Sequence, residues 1–141
     1  MLEPGTRVSH AACAMADIIL PGLDDATQLT GLNNPDAIVD FYLGLGARVV
    51  ALTLGHEGSL VATPVRRERF RPIKVDAIDA TGAGDCYDGA FLAEYLRTGD
   101  AFAAGAYANV AAALSTLGYG AVAPLPRRAD VEARIAAEAR S

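Results

Sequence analysis

The sequence predicts an α/β fold in a single domain. Two short apolar runs, Ala16–Leu20 and Arg48–Leu54, have the composition of buried strands, and the residues between them have helical spacing. A strand–helix–strand order of this kind favours a parallel pair of strands covered on both faces. Helical spacing dominates the second half of the chain. The length of 141 residues is close to the roughly 150 residues of one domain.

Two helices are predicted between the two strands. Asn34 is a favourable N-cap for the second helix, Pro35 suits its first position, and Gly46 supplies its end. The predicted elements of this half are, in order, a helix over Asp24–Leu32, a helix from Asn34 to Gly46, and a hairpin in which Arg48–Leu54 and Ser59–Thr63 flank the turn Gly55–Gly58.

The second half is predicted to begin with an extended segment and to continue with three helices. A charge run, Arg66–Arg71, precedes the extended segment Ile73–Ile78. The arginines of this run are interpreted as a solvated edge, with a phosphate-binding or acidic-partner cluster as the alternative. Helical spacing then covers a segment from Gly84 or Asp85 to Arg97, a second over Ala101–Leu117 and a last amphipathic one over Arg128–Arg140.

Composition and charge exclude several classes of protein. A net charge of -5 argues against general nucleic-acid binding, which needs a basic face. No apolar run reaches the ~18 residues of a membrane span, and the N-terminus lacks the pattern of a signal peptide. Cys13 and Cys86 are interpreted as reduced thiols, and Lys74, the only lysine, lies outside any P-loop pattern. We therefore expect a cytoplasmic protein without nucleic-acid or membrane partners.

The turn that precedes the first long helix of the second half is the candidate for chemistry. Gly82 and Gly84 allow a sharp turn and a close approach of a ligand to the backbone. The amides of Ala83, Gly84 and Asp85 are expected to be unpaired donors at a helix N-terminus, where negative charge is favoured. Asp85 stands beside this anion hole and can accept a proton from an attacking hydroxyl.

A purely structural interpretation of this segment is the alternative. Tight turns and helix caps use the same residue types, so Asp85 can equally be an N-cap after a glycine turn. A dinucleotide-binding fingerprint is excluded, because Asp-Cys-Tyr follows Gly84 and supplies no third glycine.

Two stretches of the sequence resemble a known family. Asp-Ala-Thr-Gly-Ala-Gly-Asp-Cys-Tyr-Asp-Gly-Ala-Phe-Leu at 79–92 is similar to the C-terminal signature of the PfkB (ribokinase-like) carbohydrate kinases, with Ala80 as one departure. Thr-Leu-Gly-His-Glu-Gly at 53–58 resembles the strand and turn that line the ATP site of this family.

A third stretch, residues 16–31, resembles the family segment that helps to organise Mg²⁺. Gly22 and Asp25 stand where the family usually has Asn and Glu. The Leu-Pro-Gly-Leu-Asp variant within this stretch most resembles the 2-dehydro-3-deoxygluconate kinases. Asn109 matches a C-terminal asparagine near the adenine.

The resemblance implies roles for individual residues. Asp85 corresponds to the catalytic base on the sugar hydroxyl, with Gly82, Ala83 and Gly84 as the anion hole. The implied cofactors are ATP and Mg²⁺, with K⁺ as a monovalent cation in some relatives. The other implied contacts are Thr53, Gly55, Gly58, Thr81 and Asn109 for ATP, Asp25 for Mg²⁺, and Asp79 with the loop Gly118–Gly120 for the monovalent cation.

The resemblance covers residues 16–141, after a poorly specified lead-in at residues 1–15. It implies the C-terminal part of a ribokinase-like three-layer α/β/α sandwich, the half that binds ATP and carries the base. The N-terminal half and the lid, which supply most sugar contacts in the family, are not matched. The chain is therefore expected to look like a truncated kinase.

Two functions follow from this resemblance. The first is ATP-dependent phosphorylation of a sugar or sugar acid, most like 2-dehydro-3-deoxygluconate. The second is a non-catalytic nucleotide-binding module or gene remnant that needs a partner. That partner is either a separate N-terminal half or a second copy that pairs through an open sheet edge.

Three further residues or pairs are weighed against plain structural roles. His56 is interpreted as an exposed turn residue rather than a catalytic one. Cys86 is interpreted as a packed helix residue rather than a thiol of lowered pKa. Asp24 and Asp25 are either the ordinary acidic start of a helix or the Mg²⁺ contact named above.

Overall fold

A computed structural model describes residues 17–75, 82–117 and 127–139. The chain has strands and helices in the order expected of an α/β fold, as predicted. It divides into two compact units. Unit 1 contains the described residues up to Gly55 together with Ser59–Arg69, and unit 2 contains His56–Gly58 and the described residues from Phe70 onward.

A four-stranded sheet forms the centre of unit 1, in the order β1 (Ile18–Ile19), β2 (Val49–Thr53), β3 (Ser59–Ala62) and β4 (Arg67–Phe70). The strands β1 and β2 are parallel, with Ile18 opposite Val49, and β2 and β3 are antiparallel, with Val50 opposite Ala62. The predicted parallel pair and the predicted hairpin are both confirmed. A short 3-10 helix at Gly55–Glu57 joins β2 to β3.

Two helices connect β1 to β2, α1 (Leu23–Thr30) and α2 (Pro35–Gly44). Asn34 caps α2 as predicted, because its side chain accepts a hydrogen bond from the Ala37 amide at 3.2 Å. Gly31 ends α1 in the left-handed conformation that glycine adopts without strain. The fully buried side chains that these helices and the sheet share are Ile38, Val39, Tyr42, Val50 and Leu52.

The charge run Arg66–Arg71 contains a strand that the sequence analysis did not predict. Four of its residues form β4, whose side chains alternate between exposed and half-buried. Arg67 binds two carboxylates of α2, Asp36 at 2.9 Å and Asp40 at 2.6 Å. This arginine therefore fastens the strand to a helix of the same unit. The interpretation as a solvated edge is supported by the alternating exposure.

Unit 2 contains three helices, α3 (Ala83–Thr98), α4 (Ala101–Ser115) and α5 (Arg128–Ala139), each within two residues of its predicted start and end. The described part of the predicted extended segment, Ile73–Val75, belongs to no strand. Small buried residues such as Ala104, Ala108 and Ala111 line α4. None of the helices in the described residues is long and apolar enough to cross a membrane.

A buried carboxylate ties two helices of unit 2 together. Glu94 of α3 is only 3 % exposed and accepts hydrogen bonds from Arg97 of the same helix and from Arg128 of α5. The guanidinium of Arg128 also lies over the Tyr107 ring, 4.7 Å from its centre. Burial alone would raise the pKa of Glu94, but the two arginine hydrogen bonds outweigh it and hold the pKa below its ordinary value.

We expect Glu94→Gln to destabilise the protein by about 1–2 kcal/mol at pH 7, because two charge-assisted hydrogen bonds are weakened. A carboxylate whose pKa is lowered by folding contributes stability above its unfolded pKa of about 4.3, and that contribution is lost as the pH falls. The difference between variant and wild type should therefore shrink from pH 7 to about pH 3 in urea unfolding. Glu138→Gln, at an exposed ion pair, is the control, and an equal cost there would contradict this account.

Candidate functional site

The predicted glycine turn begins the longest helix of unit 2. Gly82 lies in the left-handed region, with φ of 80° and ψ of 2°, and α3 starts at the next residue. A side chain at this position would be strained, so glycine is what lets the chain turn directly into the helix. The sequence prediction of a turn at this place is confirmed for the residues from Gly82 onward, whereas Asp79 and Thr81 lie outside the described residues.

The first amides of α3 carry no cap in the described part of the chain. The first hydrogen bond within the helix runs from the Cys86 amide to the Gly82 carbonyl at 2.9 Å, and no side chain caps the helix. In α4, by contrast, the side chain of Asp100 accepts from the amides of Phe102 and Ala103. The amides of the residues from Ala83 to Asp85 can therefore bind an anion.

The side of α3 that carries these amides is open. Gly84 and Asp85 are both exposed, and a Cβ atom added to Gly84 would meet nothing within 4 Å. Internal packing therefore does not require glycine at position 84. The space beside the Gly84 backbone is available to a ligand, and the Asp85 carboxylate lies in the same helical turn.

Asp88, one turn further along α3, is a carboxylate that the sequence analysis did not single out. It is half-buried, and burial together with the charge of Asp85 raises its pKa to about 6. The i, i+3 spacing from Asp85 was the available signal, since such residues share a helix face. Asp88 is therefore a second carboxylate within one turn of the candidate base, and its pKa lies above that of an ordinary aspartate.

Cys86 is a packed helix residue, as predicted. Burial raises its pKa, a hydrogen bond involving Ser115 opposes this shift only in part, and the Sγ atom lies 3.6 Å from the Ala111 carbonyl oxygen. A raised pKa removes the thiolate that a reactive cysteine needs. Cys86 thus belongs to the packing between α3 and α4.

In unit 1, Thr53 lies at the end of β2 and is joined to the segment that precedes α1. Its amide donates to the Pro21 carbonyl at 3.0 Å, and it forms an isolated parallel bridge with Gly22. The Thr53 hydroxyl points toward the same carbonyl at 3.5 Å. Gly55 follows with φ of 62°. Two predicted contacts of one ligand thus lie together at the end of this strand.

Asp25 is exposed in the first turn of α1, next to Asp24. No group of three or more potential metal ligands of the His, Cys, Asp or Glu type occurs in the described ranges. A Mg²⁺ ion needs no such cage, because it is commonly held by one or two carboxylates plus the phosphates of its substrate. The exposed carboxylate of Asp25 suits that mode of binding.

In unit 2, Gly58 and Asn109 converge on the segment Phe70–Pro72. Gly58 has φ of 93°, and a Cβ atom added to it would lie 2.0 Å from the Phe70 carbonyl oxygen. The side-chain amide of Asn109 donates to the Arg71 carbonyl at 2.7 Å. Both residues were predicted to contact ATP. In the structure Asn109 holds this segment by a hydrogen bond, and Gly58 leaves room for the segment's backbone to approach closely.

A cavity of about 610 Å³ lies beside this segment in unit 2. Among the described residues, its apolar lining is Pro72, Ile73, Val75 and Leu117, and its polar lining is His56, Lys74 and Arg134. His56 is exposed, as predicted for a turn residue. The sequence did not reveal the cavity, because its lining comes from four separate stretches of the chain.

Comparison with known proteins identifies the family. A family model described as pfkB family carbohydrate kinase matches residues 3–128. A ribokinase of Staphylococcus aureus strain COL is 31% identical over 134 residues, which cover 91% of this chain and 44% of the relative. A 2-dehydro-3-deoxygluconokinase of Bacillus subtilis strain 168 is 39% identical over 72 residues, 50% of this chain and 22% of the relative.

A solved structure extends this likeness to the fold. Fructokinase from Vibrio cholerae O395, in its fructose, ADP and calcium ion bound form, superposes with a TM-score of 0.82 at 29% identity, over 91% of this chain and 44% of that one. The fold is therefore that of the ribokinase-like phosphotransferases, which confirms the predicted fold class. The chain belongs to the pfkB family of carbohydrate kinases. It spans less than half the length of the ribokinase and the fructokinase that it matches.

Proposed function

We propose that this chain supplies the nucleotide-binding and catalytic part of a kinase that transfers the γ-phosphoryl group of ATP to a hydroxyl of a sugar or sugar acid. The observation that carries the proposal is the start of α3. There, the left-handed turn at Gly82 leaves uncapped amides beside the exposed carboxylate of Asp85. The family and the ADP-bound fructokinase with the same fold support the choice of phosphoryl transfer.

The proposed chemistry divides the work between the backbone and one side chain. The amides of Ala83, Gly84 and Asp85 stabilise the charge on the phosphate oxygens during transfer. The Asp85 carboxylate accepts the proton of the sugar hydroxyl while the oxygen of that hydroxyl forms a bond to the γ-phosphorus of ATP. The bond between that phosphorus and the bridging oxygen of ATP breaks, and ADP leaves. Thr53, Gly55, Gly58, Thr81 and Asn109 are the proposed nucleotide contacts.

Mg²⁺ belongs to this proposal as the ion that neutralises phosphate charge. Asp25 is the proposed protein ligand, since its carboxylate is exposed and a hard cation prefers oxygen donors. K⁺ binding by Asp79 and the loop Gly118–Gly120 is a further proposal, and these residues lie outside the described ranges. The proposed compartment is the cytoplasm, to which the reduced state expected of the cysteines is suited.

The proposed acceptor class is a 2-keto-3-deoxy sugar acid. The sequence identity of 39% to the B. subtilis 2-dehydro-3-deoxygluconokinase, over the 72 matched residues, supports this choice. The alternative function is a nucleotide-binding module that phosphorylates only with a partner, either a second copy or a separately encoded N-terminal half. The chain spans 44% of the length of the ribokinase and 44% of that of the fructokinase.

Thermal unfolding with and without excess MgATP tests the shared part of both proposals, which is nucleotide binding. A ligand at about 100 times its Kd adds about 2.7 kcal/mol, or a Tm increase on the order of 10 °C for a domain of this size. A second assay then distinguishes the kinase from the partner-dependent module. It measures ADP release from MgATP in the presence of 2-dehydro-3-deoxygluconate, ribose or fructose. Turnover by the chain alone supports the first, and turnover only after addition of an N-terminal half supports the second.

Gly84→Ala separates binding from folding. Alanine at this helical position meets no neighbour, so we expect the Tm without ligand to stay equal or to rise, by up to ~1 kcal/mol of stability. The added methyl group would occupy the space proposed for phosphate, and the Tm increase caused by MgATP should fall to less than half. Gly89→Ala, at an equally open position of the same helix, is the matched control. A full MgATP response in Gly84→Ala would contradict the proposed anion site.

A further inference from the structure

The segment 71–75 runs along the cavity of unit 2 and is held by side chains from two helices. The side-chain amide of Asn109, on α4, donates to the Arg71 carbonyl at 2.7 Å. The guanidinium of Arg134, on α5, donates from Nη2 to the Lys74 carbonyl at 2.8 Å. Residues 71–75 belong to no strand. These two side chains therefore give the backbone of the segment partners of the kind that a neighbouring strand gives to a strand.

Arg134 is oriented for its contact by a second hydrogen bond. Its Nε atom donates to the Glu138 carboxylate at 2.7 Å, one turn further along α5. The guanidinium is a rigid plane with donors at fixed angles, so the bond to Glu138 limits the directions in which Nη2 can donate. One side chain thus joins a carboxylate of α5 to a backbone carbonyl that lies 60 residues earlier in the chain.

Apolar packing connects the same segment to the helix that carries the candidate base. Ile73 of the segment and Cys86 of α3, the residue after Asp85, pack against one buried cluster. A hydrogen bond from Arg128 to Glu94 also ties α5 to α3. The segment and the start of α3 are therefore positioned by the same two helices, α4 and α5. The cluster consists of Val110, Ala111 and Val131.

The geometry points to Arg134 as a positioning residue of the nucleotide site, which acts by holding the Lys74 carbonyl and with it the segment 71–75. This inference rests on the proposed function, since it takes Gly58 and Asn109 as nucleotide contacts. Both residues converge on Phe70–Pro72, which ends two residues before Lys74. A shift of the segment moves these contacts relative to the amides at the start of α3, and displacements of about 1 Å have large effects in such sites.

Isothermal titration of the full chain with MgADP, well below the Tm of every variant, tests this inference. We expect Arg134→Met to weaken binding about tenfold, because methionine keeps the apolar stem and the helix propensity of the side chain but donates no hydrogen bond. Glu138→Gln keeps the guanidinium and removes the charge that orients it, so we expect binding to weaken about threefold. Arg127→Met, at an exposed arginine directly before α5, is the control and should bind like wild type.

A contact that only stabilises the fold gives a different result. It would lower the Tm of Arg134→Met and leave its Kd for MgADP within about twofold of that of wild type, which would overturn the inference. Unchanged or tighter binding by Glu138→Gln would also overturn it, because direct contact between Arg134 and the nucleotide does not depend on Glu138. Since Glu138 forms an exposed ion pair, this variant decides the question even if Arg134→Met does not fold.

The outcomes also separate the inference from the function on which it rests. Tight binding of MgADP by wild type, with equally tight binding by both variants, would overturn the role of Arg134 and leave the proposed function standing. Absence of MgADP binding by folded wild-type chain would overturn the proposed function, and the inference with it.

Discussion

Gly58→Ala is expected to destabilise the protein by about 3 kcal/mol or more, which is a large part of the stability of an ordinary domain. Two effects add at this position. The residue has φ of 93°, where a side chain is strained, and its new Cβ atom would lie 2.0 Å from the Phe70 carbonyl oxygen. The Arg71 carbonyl carbon and the Pro72 nitrogen are each 3.0 Å away. All three atoms are backbone, so no side-chain rotation relieves the overlap.

Gly55→Ala is the matched control for this prediction. Gly55 also has positive φ, at 62°, but a Cβ atom there meets nothing within 4 Å. We expect a cost of about 1 kcal/mol from backbone strain alone. Thermal unfolding of both variants gives the comparison, and the Tm of Gly58→Ala should be lower by roughly 10 °C. Equal Tm values for the two variants would show that the close backbone approach at Gly58 has no energetic importance.

Asp85→Asn is expected to reduce phosphoryl transfer by about 10²–10⁴-fold in any preparation that shows turnover. The amide of asparagine cannot accept the hydroxyl proton, while its size and its exposed position leave the turn unchanged. Binding of MgATP should persist, because the phosphate contacts assigned to this turn are backbone amides. The variant also removes the charge that helps to raise the pKa of Asp88, so that pKa should fall below its wild-type value of about 6.

The control for this prediction is Asp130→Asn, an exposed aspartate in the first turn of α5. It matches Asp85 in residue type, exposure and place in its helix, and it has no proposed role in the reaction. We expect its turnover to equal that of wild type in a coupled assay of ADP release. Turnover of Asp85→Asn within about threefold of this control would rule out Asp85 as the base, given the size of the expected loss.

Local rules predicted much of the fold. Asn34 and Pro35 marked the start of α2, and the glycine turn predicted the start of α3 at Gly84 or Asp85, within two residues of the observed Ala83, because caps and tight turns depend on few neighbouring residues. The strand β4 was missed because its four residues are mostly charged, and its pairing with β3 depends on contacts that no local pattern contains. The interpretation of Cys86 as a packed residue is confirmed by its surroundings.

The candidate site was predicted only in part. The signature at 79–92 led to the turn and to Asp85, since its residues are consecutive. The cavity could not be predicted, because Lys74 and Arg134 are 60 residues apart and meet only in the folded chain. The steric reason for glycine at position 58 was also hidden, since it depends on Phe70. The roles assigned to the site residues, Asp85 as well as Asp79 and Thr81, all stay predictions.

The most direct test of the central claim is a titration of the ¹⁵N-labelled chain with MgADP, followed by amide chemical shifts. The claim is that the phosphates bind the open amides at the start of α3. We predict that the amides of Ala83, Gly84 and Asp85 show the largest shift changes, and that those of Phe102 and Ala103, already capped by Asp100, change little. A saturable response that leaves Ala83, Gly84 and Asp85 unchanged would contradict the account, as would no response from a folded chain.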